Sequence, residues 1–183
     1  MQLLAYILIY PILWFVSILP FRLLYAVSDL LYILMYHIFR YRKQTVQENL
    51  RLVFPEKSDL EIKTITKKFF HHFCDMILES IKSMNISLKS MKARYTFKNL
   101  DIIKDFEKQN KSIVLMCAHY GSWEWIFILQ TYTSHRGYGI YKRLQNKYFD
   151  RLIKSIRARY NSYLITTKET FKVLEEAKKN GIL

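Results

Sequence analysis

Glycine and proline are scarce, 4 and 3 in 183 residues. A β-sandwich needs many tight turns built on those two residues, so their scarcity argues against one and for helices with few tight turns. Cysteine is scarcer still. Cys74 and Cys117 show no CxxC spacing, and His71-x2-Cys74 is too small a group to hold a metal unaided. Both cysteines read as small buried residues in a reducing compartment, so neither a structural disulfide nor a metal centre is expected. Charge is missing from the amino terminus: MQLLAYILIYPILWFVSILPF carries none before Arg22, giving 21 uncharged residues. The run has no positive n-region and no small-x-small cleavage site, so it reads as an uncleaved anchor rather than a signal peptide. Internal repeats and low-complexity tracts are lacking too.

What is present bounds the class. Hydrophobic residues make up 51%, aromatics 16% and charged residues 24%. This composition fits neither a disordered chain nor a polytopic membrane protein, and the length suits one modest domain with a real core. The net charge of +14 calls for an anionic partner: a membrane surface, an anionic lipid or nucleic acid. An anchor and a buried core do not need nucleic acid, so none is expected.

Residues 1–40 read as membrane anchor and interfacial helix. The first 21 residues are long enough to cross a hydrocarbon core of about 30 Å. Tyr6, Tyr10 and Trp14 suit membrane interfaces. Leu23 to Phe39 is nearly as apolar but contains Asp29, and reads as a second, shorter span or a helix lying on the membrane. Arg40, Arg42 and Lys43 follow, and positive residues beside a span place the body on the cytoplasmic side.

Residues 41–94 read as a helical segment. Ser58 and Glu61 form a capping box, and Pro55 ends the helix before it. Ile62, Ile65, Phe69, Phe73, Ile77, Ile81 and Met84 then recur at three- and four-residue steps as a core-facing stripe. From Tyr95 the pattern alternates. Ser112–Ala118, Gly137–Tyr141 and Ser162–Thr166 read as strands; Ser122–Thr131, Asn146–Tyr160 and Lys168–Lys179 read as helices, the last capped by Thr167. Residues 95–183 are therefore expected to form an α/β core, a mixed sheet flanked by helices. Gly181 reads as a helix C′ residue. Ile182-Leu183 reads as the start of a further strand, so the core is expected to be incomplete.

One stretch carries chemistry. LMCAHYGSWEW, Leu115 to Trp125, places His119 and Glu124 five positions apart across a glycine turn. Roughly 0.4 His-x4-Asp/Glu matches are expected by chance, so the bare pattern is weak. Its context is stronger. Gly121 permits a tight turn, Ser122 is a good N-cap, and the histidine falls at the carboxyl end of an expected strand, where open α/β sheets build their sites. A carboxylate there can hold one imidazole nitrogen and leave the other free as a general base. The competing reading is a structural histidine, with a glutamate that answers only the helix dipole.

Between Arg136 and Arg159 stand eight basic residues and one acidic residue, Asp150. Phe149, Leu152, Ile153, Ile156 and Tyr160 share one helical face, and Arg157 and Arg159 fall on opposite flanks of it. A guanidinium at such a rim can meet phosphate bidentately.

Three blocks in order give the chain a resemblance. ENLRLVFPEKS (Glu48 to Ser58), AHYGSWEW (Ala118 to Trp125) and YKRLQNKYFDRLIKSIRARYN (Tyr141 to Asn161) are similar to blocks of the bacterial lipid A biosynthesis (late) acyltransferases. Those are lauroyl/myristoyl transferases within the lysophospholipid acyltransferase-like group. The resemblance runs from the amino terminus to Leu183. It implies a glycerolipid acyltransferase-like fold and, by position, His119 as general base with Glu124 as its partner. It places Arg157 near the scissile carbonyl or a sugar phosphate, and makes Trp123, Tyr141, Lys142, Asn146 and Arg159 substrate-binding positions. Lys142-Arg143 replaces the usual Arg-Pro, and Asn161 stands where glycine is common; asparagine tolerates the left-handed conformation. The implied reaction moves a fatty acyl chain from acyl carrier protein to a hydroxyl of a lipid A precursor at the bacterial inner membrane, with no bound cofactor and no metal. Family members run longer than this chain. A lysophospholipid or other glycolipid acyltransferase, or an inactive truncated membrane-anchored fragment, are the alternatives.

Overall fold

A computed structural model describes residues 1–179. The expectations for Gly181 and Ile182-Leu183 lie outside the described residues. The chain is mostly helical and divides into two compact units. Met1–Ile12 with the chain from Ser83 onward forms one, and Leu13–Lys82 forms the other. The division in the first helix, α1 (Gln2–Ile18), falls beside Pro11, which interrupts the helical hydrogen-bond ladder.

The Leu13–Lys82 unit contains the end of α1, α2 (Phe21–Tyr32) continued by a π-helical turn (Ile33–Ile38), α3 (Lys43–Val53) and α4 (Asp59–Lys82). Pro20 separates the two apolar helices. The continuous stretch Phe21–Ile38 is long and apolar enough to cross a membrane by length and composition; α1, expected to be the span, is a shorter apolar helix of 17 residues. Lys82 closes the end of α1: its buried ammonium donates to the carbonyls of Ser17 at 2.8 Å and Leu19 at 2.6 Å, where the helix dipole is negative.

The capping box forms as expected. The amide of Ser58 donates to Glu61 Oε2 at 2.9 Å, and the Glu61 amide returns to Ser58 Oγ at 3.4 Å. The buried stripe of α4 differs from the expected one. It runs at strict four-residue steps through Ile62, Thr66, Phe70, Cys74, Leu78 and Lys82, while Phe69 is exposed. The reason lies in the partner helix. Leu24 and Ser28 are the buried positions of α2, and small residues on both sides (Ser28, Thr66, Cys74) let the backbones approach closely. Their hydroxyls are answered nearby, Thr66 by the Ile62 carbonyl at 2.7 Å and Ser28 by Asp75 at 2.6 Å.

The other unit contains α5 (Leu88–Lys92), α6 (Leu100–Lys108), a 3-10 helix (Trp123–Thr131), β1 (Tyr138–Tyr141), α7 (Lys147–Arg157) with a 3-10 turn (Ala158–Tyr160), β2 (Tyr163–Thr166) and α8 (Thr170–Lys179). The two strands pair in parallel, Tyr138 opposite Tyr163 and Tyr141 opposite Thr166, so β1, α7 and β2 make one crossover unit. Gly139 is closely packed: a Cβ there would lie 2.9 Å from the side chains of both Leu164 and Phe127, which would have to shift. The α/β expectation therefore holds in reduced form, as two strands among the described residues.

Three local expectations are corrected. Ser112–Ala118 has no regular secondary structure, and Val114 and Met116 are more than four-fifths exposed, because no strand among the described residues offers a ladder to this run. Cys117, expected to be buried, lies exposed on the same run, while Cys74 is buried. The turn before α8 is organised by Thr166 rather than Thr167, with Glu169 accepting from the Thr166 hydroxyl at 2.6 Å and amide at 3.3 Å.

Candidate active site

Gly121 has φ +57°, the left-handed conformation that glycine adopts without strain, and it turns the chain from the irregular run into the 3-10 helix. That helix winds three residues per turn, so Trp125 and Ile128 stack on one edge, and both are buried. The Trp125 indole N–H donates to Ser83 Oγ at 2.9 Å and fixes the helix. His119 is left exposed ahead of the turn, its ring 4.4 Å from that of Trp123 between centroids.

Glu124 sits in the first turn of the 3-10 helix, as the sequence suggested, but its partner is Arg157. Arg157 Nε donates to Glu124 Oε2 at 2.8 Å and Nη2 to Oε1, a bidentate pair with side chains only 14% and 15% exposed. The expected hydrogen bond from His119 to Glu124 is absent among the described residues. A guanidinium satisfies both carboxylate oxygens at once and retains its charge when shielded from water, whereas an imidazole offers a single bond. Arg157 also lies over the rings of Trp123 at 5.6 Å and Phe127 at 5.8 Å. His119, Trp123, Arg157 and Glu124 thus form one contiguous chain of contacts.

The other expected positions are used differently. Asn146 caps α7, its Oδ1 accepting from the amides of Tyr148 at 3.0 Å and Phe149 at 3.4 Å. Tyr141 is buried at the end of β1, with its hydroxyl donating to Asp150 at 3.3 Å. Asp150 is itself buried, while the expected apolar face of α7 is half-buried. Arg159 is exposed, reaching the Ser83 carbonyl at 3.4 Å, and Lys142 is exposed without a bond among the described residues. Burial raises the Tyr160 phenol above its ordinary value.

A second polar cluster, not read from the sequence, holds the start of the run that leads to His119. Glu107, on α6, accepts from the hydroxyl of Thr133, the Ser134 amide at 2.5 Å and hydroxyl at 3.1 Å, and the His135 amide at 3.3 Å. These bonds, that from Thr133 foremost, hold its carboxyl down at about 2. The His135 ring lies between Glu107, 3.2 Å from Nδ1, and the Lys111 carbonyl, 2.8 Å from Nε2. Glu107 and His135 are 28 residues apart, so only the fold reveals the pair.

The family model for bacterial lipid A biosynthesis acyltransferases matches residues 2–183. The chain belongs to that family. Comparison with curated proteins yields no match. Membership supports acyltransferase activity, a lipid substrate and membrane association. The four residues that meet at the site come from two of the blocks that carried the resemblance, Ala118–Trp125 and Tyr141–Asn161.

Proposed function

We propose that this lipid A biosynthesis acyltransferase moves a fatty acyl chain from acyl carrier protein to a hydroxyl of a lipid A precursor, with His119 as general base. The hydroxyl oxygen attacks the thioester carbonyl carbon while His119 takes its proton. The carbon–sulfur bond then breaks, and the imidazolium returns the proton to the departing thiolate. An ester and a free thiol result, with no acyl-enzyme. The thioester is already activated, so most of the rate comes from positioning and from charge placed near the developing oxyanion.

The observation that carries this reading is the exposed His119 ring against Trp123, beside an Arg157 fixed on Glu124. The imidazole is open to a substrate, and the guanidinium is a positive charge fixed by Glu124 against the same Trp123. Glu124 acts in this scheme through Arg157, which it orients. The acceptor phosphates meet the cationic positions Arg159 and Lys142, both exposed. Donor and acceptor work at the cytoplasmic face of the inner membrane, and no cofactor is required.

The test is transfer of a radiolabelled acyl group from acyl carrier protein to a hydroxyacylated, phosphorylated disaccharide lipid, with lysophosphatidic acid as the competing acceptor. Replacing His119 by Ala lowers turnover by about 10²–10⁴-fold at unchanged thermal stability, since the side chain is exposed. Near-normal turnover in that variant would refute the assignment. Preferred acylation of lysophosphatidic acid would instead select the lysophospholipid alternative.

A further inference from the structure

A pocket of about 470 Å³ opens at the start of α7, outside the cluster around His119, and Arg143, Lys147, Arg151 and Lys154 line it together with Leu144 and Asp150. Four cations face one carboxylate, and that carboxylate is committed. Asp150 is 6% exposed, accepts from the Leu144 amide at 2.9 Å and from Tyr141, and lies 3.8 Å from Arg143. Lys147, Arg151 and Lys154 have no ion-pair partner among the described residues. Glu169 feels the charges of Arg143 and Lys154, but its carboxylate is bonded to Thr166. The pocket is thus a concentration of positive charge that the protein does not answer itself.

Its neighbour indicates the ligand. The first turn of α1 is pinned to the rim. Gln2 Nε2 donates to the Gln145 carbonyl at 3.3 Å, Asn146 Nδ2 donates to the Gln2 carbonyl at 3.1 Å, and Tyr6 packs its ring on Tyr148 and Phe149 at 5.6 and 5.3 Å. The outer face of the same turns is aliphatic: Leu4, Ile7 and Leu8 are 61%, 55% and 63% exposed. Unanswered cations beside an aliphatic helical surface match the border between headgroup phosphate and hydrocarbon. An acidic soluble protein would use the cations and leave the aliphatic face bare.

We propose that this pocket binds the phosphate of a membrane lipid headgroup, with Lys147 and Arg151 as principal ligands, and so seats the start of α1 at the hydrocarbon boundary. The pocket does not depend on acyl transfer, so vesicle binding tests it whether or not His119 is the base.

The experiment is flotation of the full chain, diluted from detergent, with vesicles of phosphatidylcholine alone or with phosphatidic acid. The wild type binds the anionic vesicles more tightly. The double variant Lys147→Gln/Arg151→Gln loses roughly tenfold or more of that preference, at about one factor of five per cation, and binds phosphatidylcholine as before. Lys172→Gln/Lys178→Gln removes equal charge from α8 and keeps the preference, and Lys147→Arg/Arg151→Lys retains it as a folding control. Equal losses in the two Gln pairs would reduce the effect to net charge and overturn the proposal. Saturable binding of inorganic phosphate without a preference for anionic vesicles would assign the pocket to free phosphate and also overturn it.

Discussion

Arg157 grips both carboxylate oxygens of Glu124 across 33 residues of sequence. The pair joins the last turn of α7 to the 3-10 helix after His119, and both side chains are largely shielded from water. Removing either partner leaves the other charge shielded and unpaired.

Arg157→Ala is therefore expected to lower stability by about 3 kcal/mol and to abolish transfer. Arg157→Lys keeps the charge but loses the two-pronged geometry, and should recover part of the stability and little of the activity. A double-mutant cycle with Glu124→Gln in thermal melts measures the coupling. Additive losses would show that the contact contributes nothing.

Trp123 packs against both His119 and Arg157. Trp123→Phe retains an aromatic face and should keep most of the turnover. Trp123→Ala frees the imidazole and should cost roughly tenfold or more in rate, since a small displacement of a reacting group is strongly felt. The comparison is read from steady-state turnover of the two variants at equal stability.

Asn146 caps α7, so Asn146→Ala should cost about 1 kcal/mol, while Asn146→Ser or Asn146→Asp should recover most of it. Acyl transfer should follow stability. A large rise in KM for the acceptor in a stable Asn146→Ser enzyme would show that the amide binds substrate instead.

Glu107 gives a pH dependence of definite sign. Its carboxyl, ordinarily near 4.5, is held at about 2 in the folded chain. A depressed acid contributes stability above its unfolded pKa and loses it as pH falls through its folded pKa. The stability contribution of the Glu107 carboxylate should be at its full size above about pH 5, shrink below it, and be lost as pH falls through about 2. Parallel melting curves of wild type and Glu107→Gln over that range check it, and a difference as large at pH 2 as at pH 5 would contradict the assignment.

Features that depend on a few adjacent residues were legible. The Ser58–Glu61 box needs only four positions, and Asn161, read as tolerant of the left-handed conformation, has φ 64°. The crossover unit emerged within a few residues of its expected ends, because turn residues and periodicity mark it locally. Features settled by competition between distant groups were not legible. Glu124 had a histidine five residues away and an arginine 33 away, and the better fork won. The run through Val114 has the composition of a strand, but a strand exists only with a neighbour to pair with. On α4 the more apolar stripe is not the buried one; the buried stripe mixes Thr66, Cys74 and Lys82 with apolar residues, and the packing against Leu24 and Ser28 of α2 decided it. Glu107 and His135 carried no local signal at all.

Lys82 gives the fold an order in time. The cap is synthesised 65 residues after Ser17, whose carbonyl it satisfies. At roughly 5–20 residues per second, that is an interval of about 3–13 s. Throughout it the end of α1 must be satisfied by water or by another surface. The end of α1 is thus completed only by a residue made after α2 and α3.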